Sequence, residues 1–550
     1  MRSGRSGSWN IPGNLAVSES FFPRNGRCAF KWEIPSERVV PVNRRDFCAS
    51  LAVGGAALAM PKWLLGAEGG PTPEKPNIVF ILSDDQNPDT LACFGAKVLT
   101  PTLDRLAREG IRFTRAYAVS SVCTPSRYTC LTGQYAGRCQ TSGFLKQCPP
   151  GTQANVSFNV QIQPGSLNLA RVLHDAGYMT GFVGKWHTGG PAILKVPPDG
   201  SFTDPKVAEM LAENQRRLSD YIKQCGFDYA ASLYRGNLDD HKFAALNAHN
   251  QEWVTKGALD FMDQAKGKPF FLHVCPTLQH SPSPLASIKG DWRITPAGLL
   301  KEPPNVQAPR DSIGPRLRQA GLDEKTAHAT WLDDGVAAIV KKLEDLGVAD
   351  RTLLLYFSDN GTRSGKGTCY DDGANTPCLM RWKGPVPAGV VCERLVQNTD
   401  FAPTILDACG VTPPAGMLID GESLLPLVTG RRKDWRDAAL LEIGHTRAVC
   451  TARWKYIALR YPPEMQKAVA DGTLGRKPWH MDVCFDLEER AAKAHLGYWD
   501  ADQLYDLKND PQERVNLAGK PEHAAVLADM KARLKAGLAK FGRPFGEFVS

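Results

Sequence analysis

Cys123-Thr124-Pro125-Ser126-Arg127, followed by Leu131-Thr132-Gly133, is the most informative stretch of this 550-residue chain. Pro125 suits the first turn of a helix, where its missing N–H is not needed and its fixed φ helps nucleation. Thr124, just before it, is a candidate N-cap. Residue 123 is therefore expected at a helix N-terminus, where free N–H groups and the helix dipole favour an anion. The alternative interpretation is a buried cysteine beside a proline turn.

Two short apolar runs end in acidic and amide side chains. Asn77–Leu82 leads into Ser83-Asp84-Asp85-Gln86, and Thr352–Phe357 leads into Ser358-Asp359-Asn360-Gly361. Such runs indicate buried parallel strands, whose carboxyl ends are where α/β sheets bind ligands. If the strands are neighbours, three carboxylates and one amide oxygen converge, and a cation is needed to offset their repulsion. This all-oxygen set predicts Ca²⁺ or Mg²⁺ rather than zinc, although each motif alone is an ordinary turn sequence.

Basic residues follow other apolar runs. A strand is predicted over Tyr178–Val183 and another over Phe270–Val274. A lone lysine is usually a solvated surface residue and a lone histidine a structural one, and His273, in mid-strand, is assigned that structural role. The segments with candidate functional residues are Gly184-Lys185-Trp186-His187, Gln279-His280-Ser281-Pro282 and Gly365-Lys366-Gly367-Thr368-Cys369-Tyr370.

Together these motifs resemble the type I sulfatases of the alkaline phosphatase superfamily, over about residues 75–520. In that family a maturation enzyme oxidises the cysteine to 3-oxoalanine (formylglycine), an aldehyde that hydrates to a geminal diol. The resemblance implies an α/β fold with a large mixed-sheet, alkaline-phosphatase-like domain over residues 75–435. It also implies a smaller C-terminal α+β domain with an antiparallel sheet over residues 436–550.

The resemblance also implies the site residues. The diol of residue 123 attacks sulfur, Arg127 and His187 orient the diol, and a single bound Ca²⁺ activates it. Lys185 and Lys366 neutralise charge on the sulfuryl oxygens, and His280, alone or with Lys366, protonates the leaving alcohol. The implied Ca²⁺ ligands are Asp84, Asp85, Cys123 as formylglycine, Asp359 and Asn360.

One segment departs from the family pattern. The family commonly has Tyr-Glu-Gly-Gly-x-Arg-Val-Pro after the second lysine, whereas this chain has Tyr370-Asp371-Asp372-Gly373-Ala374-Asn375-Thr376-Pro377. Asn375 therefore stands where a guanidinium is usual. Sulfate binding is expected to survive this change, but substrate identity does not transfer from better-known members.

The amino-terminal 67 residues are expected to be a leader. Asn43-Arg44-Arg45-Asp46-Phe47 precedes the weakly apolar stretch Cys48–Met60, a pattern typical of a twin-arginine (Tat) export signal. The expected partners are the Tat export machinery and a formylglycine-generating enzyme, and the expected location is periplasmic or extracellular. The apolar stretch is too short for a transmembrane helix, and no other segment predicts a membrane span.

Charge and cysteine content narrow the function further. The chain has a net charge of +8, but residues after 67 contain 57 Lys/Arg against 54 Asp/Glu. This nearly balanced charge does not predict nucleic-acid or membrane binding through net charge. Thirteen of the fifteen cysteines lie after the leader. Because a twin-arginine substrate folds in the reducing cytoplasm, we expect few obligatory disulfides.

Two further regions have predicted structure. Arg453–Leu459 and Gln503–Leu507 predict strands of a small sheet, and Pro521–Phe541 predicts one amphipathic helix. Residues 190–268 are interpreted as a polar insertion that forms the substrate rim. The helix residues at apolar spacing are Ala525, Leu527, Met530, Leu534 and Leu538, and the candidate sugar contacts are Trp186, Tyr234, Arg235 and His241.

The resemblance thus implies a sulfuric ester hydrolase that acts on a sulfated carbohydrate. One alternative is a phosphonate monoester or phosphodiester hydrolase of the same superfamily, which can share the nucleophile and the metal ligands. A non-catalytic glycan-binding relative is the other. The complete set of nucleophile, metal and Lys/His positions argues against a binder, because binding alone does not need all of them.

Overall fold

The computed structural model describes residues 75–548, apart from 197–200, 202–203, 239–243, 363, 475–477 and 482–484. The leader predicted for residues 1–67 lies outside the described residues, as does His241. The described chain belongs to one compact unit. The domain boundary between residues 435 and 436 falls inside this unit and stays a prediction.

The described residues contain strands β1 (Asn77–Ser83), β2 (Ile111–Phe113), β3 (Ala116–Tyr117), β4 (Met179–Lys185), β5 (Tyr229–Tyr234), β6 (Phe270–Cys275), β7 (Ile294–Thr295), β8 (Gly298–Leu299), β9 (Thr352–Ser358), β10 (Cys378–Arg381), β11 (Val390–Cys392), β12 (Val396–Gln397), β13 (Ala438–Ile443), β14 (Thr446–Thr451), β15 (Trp454–Leu459) and β16 (Asp502–Asp506). Their helices are α1 (Pro101–Glu109), α2 (Cys123–Thr132), α3 (Ser142–Gln147), α4 (Leu169–Asp175), α5 (Pro205–Gln224), α6 (Gln251–Gln264), α7 (Pro284–Lys289), α8 (Ile313–Gln319), α9 (Ala327–Asp345), α10 (Asp371–Ala374), α11 (Phe401–Ala408), α12 (Leu425–Val428), α13 (Pro463–Ala470), α14 (Phe485–Ala494) and α15 (Ala524–Leu538).

An eight-stranded sheet positions the functional residues. Its strand order is β11-β2-β10-β9-β1-β6-β4-β5, and β10 runs antiparallel to both of its neighbours. The five strands from β9 to β5 are parallel, with Ser83 at the end of β1 opposite Ser358 at the end of β9. The residues that follow these five strands therefore meet at one edge of the sheet, as ligand sites in α/β folds do.

The central strand β1 is buried on both faces, which explains its continuous apolar run. Ile78, Phe80 and Leu82 pack in a core with residues of α2, α4 and α11. Val79 and Ile81 pack on the opposite face with residues of α1, α6 and α9. Side chains that alternate along the strand thus serve two helical layers.

Helix α2 begins at Cys123, as predicted, but its cap differs from the prediction. Val122, in extended conformation, occupies the N-cap position, and no side chain caps the helix there. Thr124 is already helical, so its role as N-cap was wrong. The helix is held instead by buried Asn398, whose Nδ2 donates to Ser126 O (3.2 Å) and to Ser126 Oγ (3.0 Å).

The segment 190–268 is not a separate insertion. It supplies α5, α6 and the edge strand β5, which pairs with β4. Two candidate sugar contacts are correspondingly buried. Trp186 packs its ring at 5.1 Å from that of Phe182, and Tyr234 accepts a hydrogen bond from Asn250 N (3.0 Å). Their proposed contact with sugar was therefore wrong, because tertiary packing places both inside the core.

His273 lies in mid-strand, as the sequence predicts, and is buried. Its ring stacks on Phe80 with centroids 4.7 Å apart, and Nδ1 lies 3.1 Å from Phe80 O. The strand predicted as Tyr178–Val183 extends as β4 to Lys185, so that Lys185 is its last residue. All twelve described cysteines are free.

The C-terminal part forms a four-stranded antiparallel sheet in the order β13-β14-β15-β16. Both strands predicted there are confirmed as β15 and β16. The predicted helix is shorter, because 3₁₀ turns replace it at Pro521–His523 and Ala539–Phe541. Met530, Leu534 and Leu538 of α15 are buried against the sheet, whereas Ala525 is exposed.

A buried ion-pair cluster joins this sheet to the main fold. Lys455 Nζ on β15 contacts Asp371 and lies 2.8 Å from Glu513 Oε1. Glu513 Oε2 also accepts a hydrogen bond of 2.6 Å from Asp371 N, at the start of α10. Two carboxylates thus share one cation. Burial raises the pKa of Glu513 to about 7, against the opposing effect of Lys455.

We predict that Glu513→Gln changes the pH dependence of stability. The folded protein binds the Glu513 proton more tightly than the unfolded chain, so wild-type stability falls as pH rises from about 4.5 to about 7. Glutamine cannot ionise, so the variant loses this decrease, on the order of 1–3 kcal/mol. Urea unfolding at several pH values measures the difference. Glu522→Gln, at an exposed position, is the control, and identical pH profiles for wild type and Glu513→Gln would contradict the prediction.

Candidate active site

Cys123 lies at the amino end of α2 and is 1% exposed. Its Sγ is 3.5 Å from Asp84 Oδ1 and 3.5 Å from Lys185 Nζ. Burial, followed by the charge of Asp359, raises the pKa of the thiol well above its usual value. A thiolate is the nucleophilic form of cysteine. An unmodified Cys123 is therefore a poor nucleophile in this environment.

Three carboxylates and three cations surround this position. Each carboxylate follows β1 or β9 and has a close cationic partner, and Arg127 Nη2 also lies 3.6 Å from Asp84 Oδ1. The pairs are Lys185 Nζ–Asp84 Oδ2 at 2.7 Å, Lys366 Nζ–Asp85 Oδ1 at 2.5 Å and Arg127 Nη2–Asp359 Oδ2 at 2.7 Å. All six side chains are nearly inaccessible to solvent. Breaking any one pair would leave an uncompensated buried charge, which is strongly unfavourable.

At Asp84, Lys185 and Lys366, the effect of neighbouring opposite charges on the pKa is larger than the effect of burial. Burial alone would raise the pKa of Asp84, but Lys185, followed by His280 and Arg127, holds it well below its ordinary value. Burial lowers the pKa of Lys185 and Lys366, yet Asp84 and Asp85 respectively raise both above the usual range. Asp84 is therefore ionised, and both lysines are positively charged at neutral pH.

The predicted metal-ligand residues lie together. Asp85 has a left-handed backbone (φ 56°), and its N–H donates to Asp359 Oδ1 (3.1 Å). Asn360 Nδ2 donates to Asp85 Oδ1 (2.7 Å). One ligand atom each from Asp84, Asp85, Cys123 and His280 lies within 4.8 Å of the others. The convergence expected from the two strand ends is thus present.

This group of side chains fits a hard divalent cation. Asn360 Oδ1 is buried and has no hydrogen-bond partner among the described residues, which is costly unless a ligand satisfies it. Burial raises the pKa of Asp359 to about 6, and Asp84 adds to this effect while Arg127 opposes it. A bound cation would offset the repulsion between the carboxylates of Asp359 and Asp84. Carboxylate and amide oxygens are the ligands of Ca²⁺ and Mg²⁺.

Two histidines border the site. His280 Nε2 is 3.8 Å from Asp85 Oδ2, and Nδ1 is 2.7 Å from Ser281 O. Since Nδ1–H donates to that carbonyl, the neutral ring presents an unprotonated Nε2 to the site. His187 follows β4 with φ 50°, and its Nδ1 has no partner among the described residues. Burial, followed by Lys185 and Arg127, lowers the pKa of His187 well below its usual value.

Asn237 is a site residue that the sequence did not indicate. Its Oδ1 accepts a hydrogen bond of 2.9 Å from Lys185 Nζ. Asn237 follows β5, the strand beyond β4, and so belongs to the same edge of the sheet. Interpreting residues 190–268 as an insertion hid this strand. A strand assignment over Tyr229–Tyr234 would have been the signal.

Asn375, which stands where the family usually has an arginine, presents a short amide. Its Oδ1 has no hydrogen-bond partner among the described residues, and its backbone forms a β-bridge with Tyr117. Lys455, from the C-terminal sheet, supplies the cation that pairs with Asp371. The carboxylate after Tyr370 is therefore neutralised by a residue distant in sequence.

We predict that Asp359→Ala removes the divalent cation. It deletes a carboxylate ligand and the nearer partner of buried Arg127, whose remaining carboxylate, Asp84 Oδ1, is 3.6 Å away. The positive charge of Arg127 near the cation is then less well compensated. Elemental analysis after dialysis should show about one equivalent in wild type and a large loss in the variant. Asp350→Ala, at an exposed surface ion pair, is the control and should retain the metal. Full retention by Asp359→Ala, or stoichiometric zinc in wild type, would contradict the assignment.

Comparisons with known proteins agree with this geometry. The family model described as Sulfatase matches residues 76–411, and that described as N-sulphoglucosamine sulphohydrolase, C-terminal, matches residues 364–466. Human N-acetylgalactosamine-6-sulfatase is 30% identical, covering 67% of this chain and 69% of the relative. Mouse steryl-sulfatase is 26% identical, covering 86% of this chain and 84% of the relative.

A solved structure shows the same fold. It contains a protein in complex with its substrate D-glucosamine-2-N,6-O-disulfate, with a TM-score of 0.57 and 20% identity. The alignment covers 85% of this chain and 98% of that protein. No helix in the described part of the chain is long and apolar enough to cross a membrane. The chain belongs to the sulfatase family and is a sulfuric ester hydrolase with an alkaline-phosphatase-like fold.

Proposed function

We propose that the protein is an exported sulfatase that removes sulfate from a sulfated carbohydrate, using formylglycine at residue 123 and one Ca²⁺. The observation that carries this proposal is the position of Cys123. It is buried at a helix N-terminus, with Sγ 3.5 Å from both Asp84 Oδ1 and Lys185 Nζ. A nucleophile, an anion-binding helix end and paired charges thus meet at one point.

Conversion of Cys123 to formylglycine is supported by its surroundings. The thiol is held protonated by burial and by Asp359, so the site gives little support to thiolate chemistry. Hydrated formylglycine supplies a geminal diol, of which one hydroxyl attacks sulfur and the other permits sulfate release by C–O cleavage. The diol avoids a second attack at sulfur, which a plain serine or cysteine would require.

Ca²⁺ is proposed because Asp84, Asp85, Asp359 and Asn360 offer hard oxygen ligands. Asp84, Asp85, Asp359 and Asn360 would hold it, together with an oxygen of modified residue 123. Bound Ca²⁺ would supply the positive charge that favours an ionised hydroxyl and a sulfate oxygen. Arg127 helps to fix Asp359 in this set through their 2.7 Å ion pair.

The remaining side chains bind sulfate and move protons. Lys185 and Lys366 are positively charged and contact Asp84 and Asp85, respectively. Each lysine can therefore pair with a sulfuryl oxygen of the substrate. To donate a proton from Nε2 to the leaving alcohol, His280 must first be protonated. Burial, followed by Lys185, lowers the pKa of His280, and Asp84 and Asp85 oppose this effect. His187 is neutral, and its Nδ1, which has no partner in the described part of the chain, is available for hydrogen bonding.

The names of similar proteins support a carbohydrate substrate. The human relative is named for sulfated N-acetylgalactosamine, and the solved structure contains sulfated glucosamine. The mouse relative is named for a steryl ester, so the substrate class has to be tested directly. The export signal, the maturation enzyme and the Tat machinery rest on the sequence, because the leader lies outside the described residues.

We predict that Cys123→Ala abolishes turnover and leaves the fold intact, because it removes the oxidisable side chain. The assay compares sulfated mono- and oligosaccharides with choline sulfate, aryl sulfates and phosphodiesters, after co-expression with a formylglycine-generating enzyme. Circular dichroism checks the fold. Near-wild-type activity of Cys123→Ala would refute the nucleophile. Efficient turnover confined to choline sulfate or aryl esters would refute the carbohydrate assignment, and preferred phosphodiester hydrolysis would favour the alternative activity.

Asn237→Ala should lower kcat/KM on the same substrates by about tenfold, because a hydrogen bond to a buried charged group is lost. Asn237 is a positioning residue, so the circular dichroism spectrum should stay unchanged. Asn237→Ser keeps an oxygen near Lys185 and should recover part of the loss. An unchanged kcat/KM in Asn237→Ala would show that Lys185 needs no such support.

A further inference from the structure

A groove that begins beside Thr124 and His187 runs along the segment 143–161. We propose that it binds a neutral sugar next to the sulfated one, so that the enzyme acts on oligosaccharides in preference to free sulfated monosaccharides. This inference rests on the proposed carbohydrate function and adds the character of the neighbouring unit.

The first part of the groove is a cavity of about 340 Å³ beside the catalytic residues. Thr124, which follows Cys123, and His187 line it on the catalytic side. Phe158, Gln161 and Arg235 are among the other lining residues. This volume lies within the range of small-molecule sites. Because the residue after Cys123 and the catalytic His187 line this cavity, it is placed to hold the sulfated sugar.

The second part is an adjoining cavity of about 390 Å³. It shares Gln147, Phe158 and Asn159 with the first cavity but contains neither Thr124 nor His187. Cys148, Asn155, Ser157 and Met481 complete its polar and apolar walls. The two cavities therefore form one path that leads outward from the catalytic residues.

Phe158 belongs to both cavities and provides an apolar face. Its ring is partly exposed, with its centroid 5.8 Å from that of His187 and a 32° angle between the ring planes. A flat ring beside amide groups suits a sugar, which presents both C–H faces and hydroxyls. Asn159 Nδ2 donates to Gln147 Oε1 (3.2 Å) and Asn155 O (3.0 Å), which orders this wall.

Ser157 gives an independent indication of a hydroxyl-bearing ligand. It is 6% exposed, and its Oγ has no hydrogen-bond partner among the described residues. Burying a hydroxyl without a hydrogen-bond partner costs free energy, and such groups often bind a ligand or a water molecule. Ser157 lines the second cavity but not the first. The expected partner of its hydroxyl therefore belongs to the neighbouring sugar.

The charge of the groove favours a neutral neighbour. Among the described residues that line the two cavities, Arg235 is the sole Lys, Arg, Asp or Glu, and it belongs to the first. Recognition of a carboxylate or a further sulfate in the second cavity would call for paired cations. Amide and hydroxyl groups there match sugar hydroxyls instead.

The test compares three probes: N-acetylgalactosamine 6-sulfate alone, linked to galactose, and linked to glucuronate. Wild type should show a kcat/KM about tenfold higher for the galactose-linked probe than for the monosaccharide. Ser157→Ala should remove about three- to tenfold of that gain and leave monosaccharide turnover unchanged. It should not lower stability in urea, because it deletes an unsatisfied hydroxyl.

Ser142→Ala, exposed on α3 and outside both cavities, is the matched control and should change neither value. Equal kcat/KM for the monosaccharide and the galactose-linked probe, or no effect of Ser157→Ala, would overturn the inference and leave the proposed function standing. Preference for the glucuronate-linked probe would overturn the neutral specificity. Turnover of an aryl sulfate but of no sulfated mono- or oligosaccharide in the panel described above would overturn both the carbohydrate proposal and this inference.

Discussion

Burial of three carboxylates at the ends of two adjacent parallel strands is the constraint on which the site depends. Asp84 and Asp85 follow β1, and Asp359 follows β9. Their mutual repulsion in a solvent-excluded place would be prohibitive without cations. Arg127, Lys185 and Lys366 supply one partner each. Catalysis and stability thus draw on the same charges, and a divalent ion would free the lysines to meet sulfate.

The fold delivers these charges from separate parts of the chain. Parallel strands from β9 to β5 bring their following residues to one edge, while α2 presents residue 123 there with its free N–H groups. Asn398 holds α2, and Lys455 joins the C-terminal sheet to α10, which follows the Lys366 segment. The small sheet therefore supports the catalytic edge through a buried ion pair.

The sequence predicts what depends on local pattern. Continuous apolar runs located β1 and β9, and the residues after them were placed at one edge because parallel strands end together. Prediction from the sequence failed for residues whose position depends on tertiary packing. Trp186 and Tyr234 looked like sugar contacts but lie in the core, and Asn237 was missed because β5 was hidden within a supposed insertion. Phe158 has no motif at all, and proximity to His187 in the folded chain revealed it.

The most direct test of this account is the mass of the peptide that contains residue 123, isolated after co-expression with a formylglycine-generating enzyme. The expected mass is that of an aldehyde, which a hydrazide reagent should label, because Cys123 stands in the motif whose cysteine the sulfatase maturation enzyme oxidises. The unmodified thiol, buried 3.5 Å from Asp84 Oδ1, would be a poor nucleophile. A fully active enzyme whose peptide retains the mass of an unmodified cysteine would contradict it.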